Sequence, residues 1–284
     1  MIESGTCDLV DDILNPVPAI TGLSLLGLPT DNWKDFSDTV HTMVHTPPDS
    51  EGDFAATEAT QKLMELFGVV AATIAARRGN PTDDLISVLT QVEIDGAPLS
   101  DERLLEIISL VIFGGVDTTG SLLSSVLHWL DENPAERARL ADDPELIPQA
   151  GEEFLRYFSP VQGLARTATA DCVIGDQQIR KGDQLFLSWA SANFDPELFP
   201  SADEVELDRF PNRHQSFGIG AHRCLGSNLA RLEYRVVLEE VLRRMPDYRI
   251  TGAEPFRSIA VVNGWVTLPT EFTPGQREGT AVSI

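Results

Sequence analysis

The sequence is poor in cysteine, in basic residues and in long apolar runs. Its three cysteines, Cys7, Cys172 and Cys224, lie far apart in 284 residues. They are too few and too scattered for a disulfide framework, so we expect a reducing compartment, the cytoplasm. No uninterrupted apolar run approaches the length of a membrane span, and the first residues, MIESGTCDLVDDILNP, lack the basic and apolar regions of a signal peptide. We therefore expect no membrane span in this chain and no secretion signal.

Basic residues are also outnumbered. Lysine and arginine total 21 against 44 acidic residues, which gives a formal net charge of −23. Such a charge repels phosphate backbones and excludes nucleic acid as the main partner. Hydrophobic residues make up 42% of the chain, enough to bury a large core in one large domain or two modest ones.

The pattern along the chain predicts a mainly α fold with small β-sheets. Prolines 16, 18 and 29 predict short, broken helices near the start, and PPDSEGD predicts a loop. One long helix is predicted from Asp101 to Glu132 with Ser100 as its N-cap. The β-leaning runs of residues 163–193 predict a small sheet in which Cys172 is a small buried residue. Residues 194–214 predict an ordered but irregular loop, a kind of segment that is usually functional.

A glycine pair lies in the middle of the long predicted helix. Gly114 and Gly115 each cost about 1 kcal/mol relative to alanine, and a wide, flat neighbour would explain why side chains are absent there. The Thr118 hydroxyl can bond the carbonyl of Gly114, while Asp117 supplies a carboxyl group at the same level. The motif GGVDTT therefore fits a groove with polar groups, and it fits equally a core helix that tolerates two glycines.

The stretch SFGIGAHRCLGSNLARLEYR places glycines, His222 and Cys224 directly before a helix-forming run. The dipole and free N–H groups of a helix N-terminus favour the thiolate form of a cysteine. No second cysteine or paired histidine lies nearby at metal spacing, which argues against zinc or iron–sulfur sites. A nucleophile, a haem ligand and an inert thiol all remain compatible with the loop alone.

The segment FGIGAHRCLG, residues 217–226, resembles the haem-binding loop of cytochrome P450s, Phe-x-x-Gly-x-x-x-Cys-x-Gly, in the form common in soluble bacterial members. GGVDTT resembles the family's oxygen-activating helix, Glu153-x-x-Arg156 its Glu-x-x-Arg helix, and Arg209 in DRF the arginine of the following loop. VNGWVTLPTEFTPG resembles the C-terminal β-hairpin. The resemblance implies a cytochrome P450 domain over residues 1–284, with haem b as cofactor.

The resemblance also implies a function. Members of the family are haem-thiolate monooxygenases that insert one oxygen atom from O2 into a substrate, using electrons from a redox partner. The family's first strands, a helix that crosses the haem edge and a loop that roofs the pocket have no counterpart before DLVDDILNPVPAI. We therefore expect an N-terminally truncated P450 fold. The alternative is a catalytically silent remnant that binds haem weakly or not at all.

Site roles carry over from the family residue by residue. Cys224 is the expected axial ligand of the haem iron, and His222 and Arg166 are expected to bind the haem propionates. Asp117 and Thr118 are the expected acid–alcohol pair that delivers protons to iron-bound dioxygen. The residues expected to shape the haem surroundings are Phe217, Gly218, Gly220, Gly226, Gly114 and Gly115. The residues expected to form a structural charge cluster beneath the loop are Glu153, Arg156 and Arg209.

Substrate and electron donor are less defined by the sequence. Five residues match family positions that often face an apolar small-molecule substrate: Val116, Val161, Gln162, Gly163 and Leu164. An acidic ferredoxin or flavodoxin could dock on a net positive window whose arginines are Arg209, Arg213, Arg223, Arg231, Arg235, Arg243 and Arg244. The alternative is that several of these arginines form internal ion pairs.

Overall fold

The computed structural model describes residues 1–45, 58–256 and 262–278, and of residues 58 and 59 the backbone only. The fold is mainly α with small β-sheets, as predicted. The loop predicted for PPDSEGD lies outside the described residues. The α-helices of the described ranges are α1 (Pro16–Leu26), α2 (Trp33–His45), α3 (Glu58–Gly79), α4 (Leu85–Thr90), α5 (Asp101–Gly115), α6 (Asp117–Glu132), α7 (Pro134–Asp142), α8 (Ile147–Phe158), α9 (Trp189–Asn193) and α10 (Ser227–Arg244).

The strands are short and pair in antiparallel fashion. They are β1 (Thr6–Asp8), β2 (Glu93–Ile94), β3 (Ala97–Pro98), β4 (Gly163–Thr167), β5 (Cys172–Ile174), β6 (Gln177–Ile179), β7 (Gln184–Ser188), β8 (Arg249–Ile250), β9 (Glu254–Pro255), β10 (Trp265–Thr267) and β11 (Pro269–Glu271). A three-stranded sheet has the order β1-β11-β8 and joins the start of the chain to its end. The remaining pairs are β2 with β3, β4 with β7, β5 with β6, and β9 with β10.

The long predicted helix is interrupted, which corrects the expectation of a single helix. Helix α5 begins at the predicted cap, where the Ser100 hydroxyl accepts a hydrogen bond from the Arg103 amide at 3.2 Å. It ends at Gly115, and α6 begins at Asp117. Val116 between them keeps helical dihedral angles (φ −82°, ψ −61°), so the break is local. Two glycines and a threonine hydroxyl that bonds the Gly114 carbonyl weaken the helical ladder at this point.

The interruption coincides with the boundary between two hydrophobic cores. One core joins apolar residues of α1 to α5, such as Ile74 and Ile108. The other joins α6, α7, α8 and α10 to the first and last strands, with Phe154 and Leu238 among its buried side chains. Helix α5 packs in the first core and α6 in the second. The glycine pair and Asp117 therefore lie at the junction of the two cores.

Together, residues Asp101–Glu132 are long and apolar enough to cross a membrane by length and composition. More than half of the most apolar window of this segment is buried inside the fold, and this burial accounts for its apolar character.

Three further expectations need correction. The break predicted at Pro16 is present, between a π-helical turn over Val10–Leu14 and α1, but Pro18 does not break a helix, because it lies in the first turn of α1, where a missing N–H costs nothing. Cys172 is exposed rather than buried, because no layer from the described part of the chain packs over the β5–β6 hairpin. The strands of VNGWVTLPTEFTPG do not pair with each other: β10 pairs with β9, and β11 pairs with β1 and β8.

Candidate functional site

The loop before α10 holds Cys224 in a defined position. Gly218 (φ +63°) and Gly220 (φ +68°) adopt left-handed conformations that residues with a Cβ rarely tolerate. A single 3₁₀ turn then spans Gly220–His222, and the Cys224 amide donates to the Phe217 carbonyl at 2.8 Å. The Cys224 thiol is exposed. The loop therefore presents a sulfur atom on a fixed backbone, three residues before a helix begins.

Phe217 and its neighbours fix this loop to α8. The Arg231 guanidinium lies 4.5 Å from the centre of the Phe217 ring and pairs with both carboxylate oxygens of Glu152, at 2.6 and 2.8 Å. His214 Nε2 lies 3.0 Å from the same carboxylate. Burial alone would raise the pKa of Glu152, but the hydrogen bonds from Arg231 and His214 outweigh it and lower the pKa to about 2. The Glu152 carboxylate thus stays charged and bonds one residue before the loop, His214, and one after it, Arg231.

Below the loop, the structure brings Glu153, Arg156 and Arg209 into one buried cluster. Arg156 donates from Nε and Nη2 to the two carboxylate oxygens of Glu153, at 2.8 and 2.7 Å, and both residues are fully buried. Arg209 Nε donates to Glu153 Oε2 at 3.0 Å. One carboxylate therefore faces two guanidinium groups.

The cluster anchors the irregular segment 194–214 through its main chain. Arg156 donates to the carbonyls of Asn193, Ala202 and Glu204, at 3.0, 2.8 and 2.8 Å. Arg209 donates to the Pro200 carbonyl at 2.8 Å. Because four carbonyls that no helix or strand satisfies find partners here, the segment is ordered without regular structure.

Asn193 is a residue of this support that sequence reasoning missed. Its side-chain amide Nδ2 donates to the hydroxyls of Ser159 and Ser216 at 2.7 and 2.8 Å, and its side-chain oxygen Oδ1 accepts from the main-chain amide of Gln215 at 2.6 Å. The side chain is fully buried. It connects α9 to the residues that open the cysteine loop. A lone asparagine at the end of a short helix carries no local signal of such contacts.

The glycine pair leaves an open face between the two cores. Gly114 and Gly115 are exposed, and a Cβ built on either would meet no atom within 4 Å. The same holds for Gly220 and Gly226 of the cysteine loop. These glycines are therefore not required by packing within the protein.

Asp117, the first residue of α6, is buried and bonded to two histidines that the sequence analysis did not select. One carboxylate oxygen lies 2.9 Å from His41 Nδ1 and the other 2.8 Å from His45 Nε2. Burial alone would raise the pKa of Asp117, but the hydrogen bonds from both histidines outweigh it and hold the pKa below its ordinary value. The i, i+4 spacing of HTMVH in α2 was the available signal, since such residues share a helix face.

Thr118 follows Asp117 but has a different partner. Its hydroxyl donates to the Gly114 carbonyl at 2.9 Å, the bond predicted from the sequence. The hydroxyl and the Asp117 carboxylate are thus adjacent in the chain, and each is engaged by a separate group. The next threonine, Thr119, is buried and lies beside Glu233 of α10.

Haem b, the cofactor that the resemblance implies, fits the chemistry of the exposed groups. Cys224 offers one unpaired sulfur, and neither His222 nor Arg166 has a carboxylate partner among the described residues. Among the described residues, the Arg166 guanidinium bonds only the Ala165 carbonyl, at 2.9 Å. Leu225 of the cysteine loop is 88% exposed, an uncovered apolar side chain next to the sulfur. A flat group with one thiolate ligand and two acid groups would use all of these features.

The five substrate-pocket candidates have mixed surroundings. Val116 is buried in the first core, and Gly163 is buried against the Leu187 carbonyl. Gln162 donates to the Ser159 carbonyl at 2.6 Å, while Val161 forms a β-bridge with Val262. Leu164 is 42% exposed. Two cavities, of about 260 and 580 Å³, are lined by other residues, mainly of α8 and α10 in the first and of α10 and the chain start in the second.

The net positive window is largely neutralised by ion pairs. Five of its seven arginines pair with carboxylates: Arg209, Arg231, Arg235, Arg243 and Arg244. In the described part of the chain, Arg213 and Arg223 form no ion pair, and both are exposed. The alternative of internal pairs therefore accounts for most of the window. Arg213, just before the cysteine loop, and Arg223, within it beside Cys224, remain.

Comparison with known families and proteins gives one consistent result. The sequence profile of the family described as Cytochrome P450 matches residues 32–246. The steroid C26-monooxygenase of Mycolicibacterium smegmatis is 40% identical over 284 residues, covering 96% of this chain and 68% of that protein. The polyketide biosynthesis cytochrome P450 PksS of Bacillus subtilis is 35% identical and covers 96% of this chain and 67% of that protein.

Solved structures agree in fold. The structure of PksS superposes with a TM-score of 0.86 at 35% identity, over 94% of this chain and 69% of that one. CYP109E1 from Bacillus megaterium, in complex with testosterone, gives a TM-score of 0.83 at 31% identity, over 94% of this chain and 73% of that one. The chain thus spans about two-thirds to three-quarters of the length of these relatives.

Proposed function

The chain belongs to the cytochrome P450 family, and from this premise we propose that residues 1–284 form one domain in which Cys224 ligates haem iron for monooxygenase chemistry on an apolar substrate. Members of the family bind haem b, and bacterial members take electrons from redox partners. The observation that carries the proposal is the exposed Cys224 thiol on a glycine loop whose backbone is fixed from below by Glu152 and Asn193.

Bound haem supplies the oxygen-activating redox chemistry. The protein's own contribution begins with Cys224, whose thiolate would ligate the iron from a loop that Arg231 contacts at the Phe217 ring and that His214, bonded to Glu152, precedes. Arg166 and His222, both exposed, would bind the propionates through charge-assisted hydrogen bonds. Gly114 and Gly115 leave the exposed face at the break between α5 and α6 free of side chains.

Proton handling is assigned to Asp117 and Thr118. The Asp117 carboxylate is held in place by His41 and His45, so it stays charged and oriented, and its pKa lies below the ordinary range. The carboxylate and the Thr118 hydroxyl, adjacent in the chain, are the acid–alcohol pair to which we assign proton delivery. Thr118 in turn orients its hydroxyl by donating to the Gly114 carbonyl at 2.9 Å.

The first experiment compares reduced, carbon monoxide-saturated spectra of the purified chain, Cys224→Ser and Cys172→Ser. The second variant is a matched control, because Cys172 is also exposed. We expect the red-shifted band that is typical of thiolate-ligated haem in the wild type and in Cys172→Ser, and its loss in Cys224→Ser. A chain that takes up no haem, even with added hemin, would support the silent-remnant alternative instead.

For the substrate, we propose an apolar small molecule and give priority to steroids. The relatives of 38–40% identity are named steroid C26-monooxygenases, and the similar structure of CYP109E1 holds testosterone. Titrating the haem-loaded chain with testosterone and with hexadec-9-enoic acid, while recording the haem spectrum, tests this order. A response to the fatty acid alone would reverse it.

For the electron donor, we propose an acidic ferredoxin or flavodoxin in the cytoplasm that docks at Arg213 and Arg223. Both arginines are exposed, Arg213 just before the cysteine loop and Arg223 within it beside Cys224, and neither has a carboxylate partner among the described residues. The double variant Arg213→Gln/Arg223→Gln is expected to raise the KM for the donor and to weaken its dependence on salt. The variant Arg235→Gln, whose arginine is already paired with Glu239, is the matched control.

A further inference from the structure

Helix α2 carries two histidines one turn apart on the side that faces α6. His41 and His45 have ring centroids 4.5 Å apart, and both rings contact Phe256, at 4.7 and 4.0 Å. His45 stacks on Phe256 with an angle of 17° between the planes. The aromatic ring thus restricts the orientation of both imidazoles.

The nitrogens that face α6 converge on one carboxylate. One ring nitrogen of each histidine and an Asp117 oxygen all lie within 4.8 Å of one another. The side chains of His45 and Asp117 are 11% and 6% exposed, and that of His41 is 30% exposed. The site is therefore shielded by protein and still reachable from solvent on the His41 side.

The donor set is one that divalent transition metals prefer. Two imidazole nitrogens and one carboxylate oxygen match zinc sites that keep a fourth position open. Residues at i and i+4 of a helix present their side chains on one face, which is the spacing that lets two histidines bind one ion. In the described part of the chain, no other histidine, cysteine or acidic residue joins the group. The formal charge of −23 further favours cations over anions.

We propose that His41, His45 and Asp117 form a binding site for a divalent transition-metal ion, with Zn²⁺ as the probe. The ion is bound by His41 Nδ1, His45 Nε2 and an Asp117 oxygen, with solvent in the fourth position. Each imidazole binds in its neutral form, so its proton lies on the ring nitrogen that does not face Asp117. For His45 this is Nδ1, which has no hydrogen-bond partner among the described residues.

The ion would replace two hydrogen bonds by three metal–ligand bonds. It would tie α2, which packs in the first core, to the start of α6, which packs in the second. It would also occupy the Asp117 carboxylate. This last consequence rests on the proposed function, in which that carboxylate handles protons; metal binding itself does not.

The test is calorimetric titration of the haem-loaded chain with Zn²⁺. We expect one equivalent to bind, and the affinity to fall by more than about 100-fold in His41→Gln and in His45→Gln, since changes beyond the ligands already cost 10- to 100-fold. The control His128→Gln removes a histidine of α6 that lies beside Glu132 and stacks on Trp265. A second control, Cys172→Ser, removes an exposed thiol. Neither control is expected to change the affinity.

X-ray absorption at the zinc edge of the wild-type complex needs no variant. We expect two imidazole ligands with oxygen ligands and no sulfur. Absence of binding, sulfur in the first coordination sphere, or full affinity in both histidine variants would each overturn the proposal.

Turnover measured with and without Zn²⁺ then separates the two ideas. Zinc that binds at this site and inhibits, with reversal by EDTA, supports both the site and the proton role of Asp117. Zinc that binds here without inhibition leaves the metal site standing and contradicts that proton role.

Discussion

Glu233 of α10 is a buried carboxyl group that has no ion-pair partner among the described residues. It is 7% exposed and lies near the hydroxyls of Thr119 and Thr21. Burial raises the pKa of Glu233 from 4.5 to about 7, and the hydrogen bonds from the two threonines oppose this only in part. The folded protein therefore holds a proton that the unfolded chain releases at lower pH.

The sign of the pH dependence follows from this difference. Because the folded state binds the proton more tightly, the free energy of unfolding is highest below pH 4.5 as far as Glu233 is concerned, and it falls as the pH rises through about 7. Each pH unit between the two pKa values is worth about 1.4 kcal/mol, so the full loss is about 3 kcal/mol. Glu233→Gln removes the titration, and its stability relative to the wild type should rise by about 3 kcal/mol between pH 4.5 and pH 8.

Urea unfolding followed by circular dichroism from pH 4.5 to pH 8.5 measures this difference, provided that the slope against denaturant stays constant. The matched control is Glu239→Gln on the same helix, whose carboxylate pairs with Arg235 near the surface. That control should shift stability by less than about 1 kcal/mol at any pH. A difference between Glu233→Gln and wild type that does not change with pH would refute the reasoning.

Three further outcomes are expected. Arg156→Lys should lower the free energy of unfolding by about 3 kcal/mol in urea titrations, because a lysine cannot replace the hydrogen bonds of the buried guanidinium; an unchanged midpoint would contradict this. Gly151→Ala should lower the free energy of unfolding by about 1–3 kcal/mol, because the new Cβ would lie 2.6 Å from the Tyr234 ring. Gly68→Ala should raise it by about 1 kcal/mol, because a Cβ there meets no described atom within 4 Å. Thermal unfolding that shows the same sign for both variants would contradict the packing argument. Asp117→Asn should lower kcat by about 100-fold or more while the carbon monoxide spectrum is unchanged, and product formation at the wild-type rate would contradict its proton role.

Local backbone rules made part of this fold predictable. Glycines that must be left-handed marked the cysteine loop, and Ser100 marked the start of α5. The hydroxyl bond of Thr118 followed from helical spacing alone. These features depend on residues within a few positions of one another, so the sequence carries them directly.

Long-range features were not predictable in the same way. The pairing of His45 with Asp117 joins residues 72 positions apart, and Asn193 contacts Ser216 across a loop. Whether Cys172 is exposed depends on whether another part of the fold packs over its hairpin. The residue pattern of the strand does not encode this. The break at Val116 coincides with the meeting of two cores, and the assignment of α5 to one core and α6 to the other joins residues far apart in the sequence.

The support beneath the cysteine loop has a consequence for how the segment can vary. Arg156 and Arg209 hold residues 193–204 through carbonyl oxygens, and Glu153 accepts from the amide of Glu206 at 3.0 Å. Main-chain groups are present whatever the side chain, so exchange of the outward-facing residues leaves these anchors in place. Residues 193–204 can therefore change their exposed side chains, and with them the molecules that this surface binds, while the Cys224 thiol keeps its position.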